Sequence, residues 1–258
     1  MDHRKERGCI LKNVGRINGY FIVLYIMVSA AFVYTFLGIQ IKIWASYGQT
    51  YCMLDCLHAL EMPYCFGMVF FPLTLFGILS GKRMYVYPAF VLKYQNTSEI
   101  WNIFWRRILV KSVLFSFLFS STACFLSGLS SYTVNNWDEI GSIFHQTTKT
   151  LYLGSAVYVI IVYVLFQSMK FCMGSIIVVF SEYLFQNSIW GIMLLVVFGV
   201  AEWVFSKWMV FFNLFSISQT HFITREYAIG ILVFGCILLT VSYLIGRKIW
   251  KEKEFYGV

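Results

Sequence analysis

The sequence predicts an all-α polytopic membrane protein with six transmembrane helices in a single domain, residues 1–258. Hydrophobic residues make up 59% of the chain and charged residues only 12%. A soluble domain carries about 25% charged residues, so this chain lacks the polar surface that a soluble core of its length needs. Apolar runs of about 20 residues recur along the chain, and its basic residues are placed asymmetrically between them.

The apolar runs predict helices because membrane strands would alternate apolar and polar residues, and these runs do not. The predicted spans cover about residues 20–40, 62–81, 108–129, 153–184, 189–206 and 227–246. The fourth lies within the long run Leu151–Phe185. Splitting that run at Gln167–Lys170 would move the basic tail to the opposite side of the membrane. We therefore predict one long helix for it.

The placement of Lys and Arg predicts the orientation of the spans. Of the 20 basic residues, 15 fall in the leader before residue 20, in and beside the connection between the second and third spans (residues 82–111, with Lys111 included) or in the tail after residue 246. Segments 41–61 and 130–150 contain only one lysine each. Both termini are therefore predicted to lie in the cytoplasm, with the chain in the plasma membrane. This bias and anionic lipids account for the net charge of +8, so no nucleic-acid partner is predicted.

The sequence contains no recognisable constellation for catalysis, cofactor binding or metal binding. It has no G-x-x-x-x-G-K-[ST] phosphate loop and no H-E-x-x-H zinc helix, and every Asp lies outside the predicted spans. Cys52, Cys56 and His58 could hold a soft metal, but no fourth ligand is near and the spacing matches no zinc motif. We expect two packed thiols there, and whether they are bridged stays open. The chain is predicted not to be an enzyme.

The connection between the second and third predicted spans interleaves basic and aromatic side chains. Asn96 and Glu99 are spaced as in a capping box, so a helix is predicted to begin near Thr97. At helical spacing its apolar residues share one face, and Asn102 and Arg106 fall on the far side. The apolar face consists of Ile100, Trp101, Phe104, Trp105 and Ile108.

This amphipathic helix is predicted to be an interfacial elbow that bends into the third span. Trp101 and Trp105 would lie at headgroup level, and Arg106 and Arg107 would face anionic phosphates. The leader repeats the pattern at residues 10–17, before the first span. The alternative is an ordinary basic cytoplasmic loop. Two such elbows on one face indicate that a partner docks there.

Six spans, an elbow before the first and this basic-aromatic connection resemble the permease subunits of bacterial type 2 ABC exporters. The closest resemblance is to small permeases whose connection reads roughly R-Y-x-S-R-x-x-W-W. The corresponding residues here run from Lys93 to Trp101, with lysine in place of the first arginine and Glu99 in a normally basic stretch. The final GRKIWKEKEF is similar to the basic tail that closes such permeases.

The resemblance implies a permease subunit that has no nucleotide-binding site of its own and moves an amphipathic substrate such as a peptide, bacteriocin or toxin. ATP would be bound by a separate ATP-binding cassette subunit, and a second permease subunit, identical or not, would complete the transporter. Short re-entrant helices would lie between the last two spans, where the apolar segment 207–222 fits. The residues implied to couple to the ATPase are Tyr85, Tyr87, Phe90, Lys93 and Tyr94.

Two other functions stay open at this point. An ATPase-independent transporter would predict inverted repeats and several buried charges, and no repeat is visible. An immunity or scaffold membrane protein would transport nothing. The sequence also leaves open the substrate and the direction of transport.

Two charged residues, Lys170 and Glu202, lie deep within predicted spans. If the fourth and fifth spans form a hairpin turning near Gln186–Asn187, each lies roughly 23 Å from the turn at about 1.5 Å per residue. Either charge alone costs on the order of 3 kcal/mol near mid-bilayer. We therefore predict that the two pair across the hairpin or line one polar cavity. The alternative is that Lys170 snorkels and Glu202 reaches the outer headgroups.

Overall fold

A computed structural model describes residues 19–61, 66–80, 97–205, 210–216, 219–222 and 225–252. Within these ranges the fold is all-helical, apart from an isolated β-bridge between Thr50 and Ser142. The α-helices are α1 (Gly19–Ser46), α2 (Met53–Ala59), α3 (Phe71–Leu79), α4 (Thr97–Ser130), α5 (Ile143–Thr148), α6 (Ala156–Phe185), α7 (Ile189–Val204) and α8 (Arg225–Glu252). A π-helical turn, Phe66–Phe70, leads into α3, and a 3-10 turn, Gln219–Phe222, precedes α8.

Four helices in the described residues, α1, α4, α6 and α8, are long and apolar enough to cross a membrane. The chain is therefore of the helical membrane class. Helix α6 is continuous over 30 residues, which confirms the single long helix predicted for the fourth run. The second and fifth predicted spans contain shorter helices, Phe66–Leu79 and the 16-residue α7. A count of six crossings and cytoplasmic termini stay predictions.

The second predicted span belongs to an interrupted segment. Helix α2 ends at Ala59, Leu60 and Glu61 form a turn, and helical structure is next described at Phe66. Residues before the interruption are as buried as those after it: Leu57 and Phe66, for example, are both inaccessible to solvent. Residues 41–61 were predicted to connect the first two spans, and α2 of this connection packs against α4 and α6.

Helices α4 and α6 form the largest helix interface of the described residues. Ser116 Oγ of α4 donates to the Val164 carbonyl of α6 at 2.8 Å. Small hydroxyl side chains of α4 are buried throughout this face, which lets the two backbones approach closely. The buried serines are Ser112, Ser116, Ser120 and Ser127.

Helix α4 begins at Thr97, as the capping pattern predicts, and its amphipathic face is present. However, protein covers that face: Ile100 and Trp101 are fully buried and Trp105 is 8% exposed. Trp101 Nε1 donates to the Tyr243 carbonyl of α8 at 3.0 Å. The prediction that Trp101 and Trp105 lie among headgroups is therefore wrong. Periodicity identifies residues that share a face, but an apolar face fits another helix as well as it fits lipid.

The remaining residues of the predicted elbow are only partly covered. Arg106 is exposed and Arg107 is half-buried on α4. The predicted leader helix at residues 10–17 lies outside the described residues. The predicted coupling residues also lie outside them, namely Tyr85, Tyr87, Phe90, Lys93 and Tyr94.

Gly246 is expected to be essential for the contact between α8 and Trp101. A Cβ at position 246 would come within 2.0 Å of the Trp101 ring, whereas one at Gly230 on the same helix meets nothing within 4 Å. We expect Gly246→Ala to displace the indole and lower the free energy of unfolding by about 1–3 kcal/mol. Gly230→Ala is the matched control and should be neutral or stabilise by up to ~1 kcal/mol. Thermal unfolding in detergent measures both, and equal midpoints would contradict this packing.

Candidate functional site in the interior of the helix bundle

Glu61, in the turn after α2, lies beside two polar side chains of α6. Its carboxylate accepts hydrogen bonds from Gln167 Nε2 and Lys170 Nζ, and it forms an ion pair with Lys170. Lys170 Nζ also lies 4.8 Å from the centroid of the Phe66 ring, in cation–π contact. Lys170 is fully buried and Glu61 is 4% exposed. Because Lys170 lies midway along the 30-residue α6, this polar centre is near mid-depth of a helix able to cross a membrane.

The polar centre includes two further buried polar groups. Tyr163 Oη and Gln167 Oε1 are both buried, and the Tyr163 side chain lies against Gln167 and Glu61. Tyr163 lies one helical turn before Gln167, so both face the same side of α6. An ion pair flanked by a hydroxyl and an amide carbonyl can accept a polar ligand group or water without exposing a net charge.

The predicted pairing of Lys170 with Glu202 is wrong. The Glu202 carboxylate accepts hydrogen bonds from backbone N–H groups that follow α7: Val210 at 2.8 Å, Asn213 at 2.7 Å, and Phe211. Glu202 is 1% exposed, so these donors replace its hydration. The prediction failed because equal distance from a hairpin turn does not determine which side of each helix a residue faces.

The donors to Glu202 belong to the segment predicted to contain re-entrant helices. In its described parts, residues 210–216 form turns and residues 219–222 a 3-10 turn, with no α-helix. Phe211, Phe212 and Phe215 are buried nonetheless. The Phe212 ring meets the Phe71 ring edge-on at 5.1 Å between centroids. Glu202 thus anchors an apolar loop against the start of α3.

Lys111 of α4 binds the carboxyl end of α3. Its Nζ donates to the carbonyl oxygens of Gly77 at 3.2 Å, Ile78 at 3.0 Å and Ser80 at 3.0 Å, and to Ser80 Oγ at 3.0 Å. The last carbonyls of a helix have no partner within it and form the negative end of its dipole. The buried ammonium of Lys111 donates hydrogen bonds to these carbonyls, and its positive charge interacts favourably with the negative end of the dipole. Lys111 is 3% exposed and lies adjacent to the chain that leaves α3 toward residues 81–96.

Sequence reasoning missed both Glu61 and Lys111. Lys111 follows Ile108 by three residues and Phe104 by seven, so helical spacing alone would have placed it on the buried face. It was instead counted with the basic residues of a connection. Glu61 shows no such spacing, because it immediately precedes the apolar run that was predicted to be the second span. The available signal was Pro63, which indicates that a helix ends close to Glu61.

Three connections meet around Asp55, which is 1% exposed. Its Oδ1 accepts from Trp137 Nε1 at 2.8 Å and Gln219 Nε2 at 2.9 Å, and its Oδ2 accepts from the Cys52 amide at 3.0 Å and Cys52 Sγ at 3.3 Å. Desolvation raises the pKa of Asp55, and these hydrogen bonds oppose the rise. We call the assembly of residues 47–61, 131–155 and 219–222 the cap. It lies where α1 and α4 end and where α6 and α8 begin.

Cys52 and Cys56 are free, buried thiols of the cap. Desolvation raises the pKa of each to about 12, and the Asp55 carboxylate adds to the effect. Thiolate is the reactive form, so both are expected to be inert at neutral pH. Within the described residues no three His, Cys, Asp or Glu side chains are grouped to hold a metal ion.

Comparisons with protein-family models, curated proteins and solved structures find no match. The interpretation of the site therefore depends on its geometry. The carboxylates of Glu61 and Glu202 are held by donors, and the ammonium groups of Lys170 and Lys111 by acceptors. Each of these buried charges is satisfied by groups of the protein, so the arrangement fixes the packed segments relative to one another.

The ion pair of the polar centre is expected to behave as a unit. Glu61→Gln and Lys170→Met should each lower the free energy of unfolding by about 3–5 kcal/mol, because each leaves one buried charge unpaired. The double variant should lose much less than the sum. As a control, Lys170→Met with Glu202→Gln should be additive within about 0.5 kcal/mol, since these residues share no partner. Unfolding of purified variants in detergent gives both cycles, and additivity in the first would exclude a functional ion pair.

The burial of the cap thiols predicts slow alkylation. At pH 7.5, maleimide should label Cys52 and Cys56 far more slowly than a cysteine introduced by Tyr132→Cys, because Tyr132 is fully exposed in the same cap. Unfolding in denaturant should equalise the rates. Peptide mass spectrometry after timed quenching measures each site separately. Rapid labelling of Cys56 in the folded protein would show that the cap is open.

Proposed function

We propose that this chain is the transmembrane permease subunit of an ABC-type exporter. In this proposal it moves an amphipathic substrate such as a peptide, bacteriocin or toxin across the plasma membrane. A separate ATP-binding cassette subunit binds and hydrolyses ATP, and a second permease subunit, identical or different, completes the pathway. The motif resemblance of residues 93–101 is the sequence basis of the proposal.

The contact between Lys111 and the end of α3 is the observation that carries the proposal. Residues 81–96, which include the residues proposed to dock on the ATPase, are joined directly to this end of α3. The four hydrogen bonds from Lys111 tie that end to α4. A displacement of the connection would therefore move α3 relative to α4 or break these bonds. A driven transporter needs such a mechanical link between its motor subunit and its helices.

The other end of the interrupted segment reaches the polar centre. Phe71 at the start of α3 stacks on Phe171 of α6, with ring centroids 5.7 Å apart. Glu61, before the π-helical turn, is bound to Lys170 one residue away from Phe171. Movement of α3 would thus reach the charges in the middle of α6. A polar centre that responds to motion at one membrane face is suited to releasing an amphipathic substrate on the other.

Substitutions in the connection test the proposed docking. We expect Tyr87→Ala with Phe90→Ala to abolish copurification of an ATPase that has a phosphate-loop motif, and to remove the ATP hydrolysis that accompanies the tagged chain from native membranes. Tyr132→Ala, at an exposed aromatic of the cap, is the matched control and should retain both. Membrane insertion should be equal for all variants. Full ATPase retention by the double variant would place the docking surface elsewhere.

An ATPase-independent transporter is the second candidate, and the polar centre is the observation that favours it. Buried charges near mid-depth mark ion or proton pathways in many secondary transporters. The same purification separates the candidates, because a secondary transporter would be isolated without any ATPase. In liposomes it would also accumulate substrate under a pH gradient alone, and Glu61→Gln would abolish this.

A further inference from the structure

A groove runs along one side of the contact between α4 and α8. Its middle part is a cavity of about 530 Å³ that is bordered by a hydrogen bond from Tyr243 Oη to Asn102 Oδ1, 2.7 Å long. Most of its other lining side chains are apolar. The apolar ones are Trp105, Leu109, Cys236 and Leu239, and the polar ones are Thr240 and the exposed Arg106.

One end of the groove is a basic pocket of about 310 Å³, lined by Ser98, Leu244, Arg247, Lys248 and Lys251. Ser98 lies one turn before Asn102 on α4, and Arg247 lies one turn after Tyr243 on the antiparallel α8. The pocket therefore lies one helical turn beyond the middle cavity along the same pair of helices.

Three basic side chains line this pocket. Arg247, Lys248 and Lys251 form no ion pair with any described residue. Glu99 is exposed on α4 next to Ser98 and forms no ion pair with them either. Three basic side chains in one pocket favour an anionic occupant, and guanidinium and ammonium groups together suit a phosphate.

The opposite end of the groove is apolar. The middle cavity shares Cys236 and Thr240 with a cavity of about 420 Å³, whose other lining residues are Leu232, Val233, Ile237 and Val241. From Arg247 to Cys236, α8 rises roughly 16 Å at about 1.5 Å per residue. That is close to half of the ~30 Å hydrocarbon thickness of a bilayer. The groove thus has the length and polarity of one lipid in one leaflet.

Aromatic rings lie at the level of the basic pocket. Trp101 packs on Trp250 of α8 and on Trp105, with ring centroids 6.0 and 5.6 Å apart. These rings are buried between the helices, so they do not set the depth of the pocket. The depth follows from Arg247, Lys248 and Lys251, which lie in the last two turns of α8, a helix long and apolar enough to cross a membrane. Basic side chains at the end of such a helix reach the headgroups, so the basic pocket lies where a phospholipid carries its phosphate.

We propose that this groove binds one anionic phospholipid. Its phosphate occupies the pocket of Arg247, Lys248 and Lys251, and an acyl chain follows the middle cavity toward Leu232. Such a lipid would cover the apolar groove between α4 and α8 and neutralise the end of α8. The inference is independent of the proposed transport function, because it depends only on the groove.

Lipid titration of the purified chain in detergent micelles tests the proposal. Phosphatidylglycerol and phosphatidylcholine with identical acyl chains are added separately at about 0.1 M salt, and bound lipid is counted by native mass spectrometry. We expect phosphatidylglycerol to bind at least about tenfold more tightly, given three nearby basic residues. Inorganic phosphate at the same concentration should not displace it, because phosphate has no acyl chain.

Two kinds of variant separate the headgroup from the chain. Arg247→Gln with Lys248→Gln and Lys251→Gln should remove the preference for phosphatidylglycerol, whereas Lys42→Gln with Lys149→Gln should keep it. Lys248→Gln alone should weaken it several-fold, which keeps the test valid if the triple variant misfolds. Cys236→Trp fills the groove without changing charge and should weaken both lipids.

The control for the filled groove is a tryptophan at position 245, which is exposed and does not line the groove. Ile245→Trp should therefore bind both lipids as the unaltered chain does. The proposal is overturned if the triple variant keeps its preference, if phosphate displaces the lipid, or if Cys236→Trp binds phosphatidylglycerol normally.

Discussion

The ion pair between Glu61 and Lys170 constrains much of the surrounding architecture. A lysine in the middle of an apolar helix requires an anionic partner at the same depth. The partner comes from the turn that ends α2, so the segment is interrupted there rather than crossing as one helix. The interruption leaves α3 short, with its carboxyl end against α4, where Lys111 satisfies the free carbonyls. The break between α2 and α3 thus supplies the carboxylate that pairs with Lys170. Lys111 in turn holds the carboxyl end of α3, the helix that follows the break.

The buried charges of Lys170, Lys111 and Glu202 are each stabilised by a different kind of partner. Lys170 has a carboxylate, Lys111 has backbone carbonyls, and Glu202 has backbone N–H groups. The last two occur where the backbone leaves regular helix. Irregular backbone inside an apolar environment is tolerated only when its polar groups find partners in the protein. Lys111 and Glu202 therefore satisfy backbone groups that water would satisfy in the loops of a soluble protein.

The length and spacing of apolar residues predicted those structural features that depend on a single segment of the chain. The long α6, the start of α4 and the shared face of Trp101 and Trp105 all follow from the sequence. What the face contacts does not, because lipid and α8 are equally apolar. The pairing of Lys170 failed for a related reason: depth along a helix was known, but rotation about its axis was not. Glu61 was missed although Pro63, two residues later, indicates that a helix ends there, because the apolar run from residue 62 was interpreted as a span and the break before it was not considered.

The contacts of Asp55 and Glu61 can form only late in synthesis of the chain. The partners of Asp55 are Trp137, 82 residues later, and Gln219, 164 residues later. The partner of Glu61 is Lys170, 109 residues later. A nascent chain that has released α1 to α4 therefore holds two acidic side chains whose partners are still in the ribosome. Until α6 emerges, Glu61 has no cationic partner, and an unpaired carboxylate is costly in the bilayer. Glu61 is therefore expected to remain near water in the translocation machinery. Membrane insertion of the second segment is thus expected to follow, not precede, that of α6.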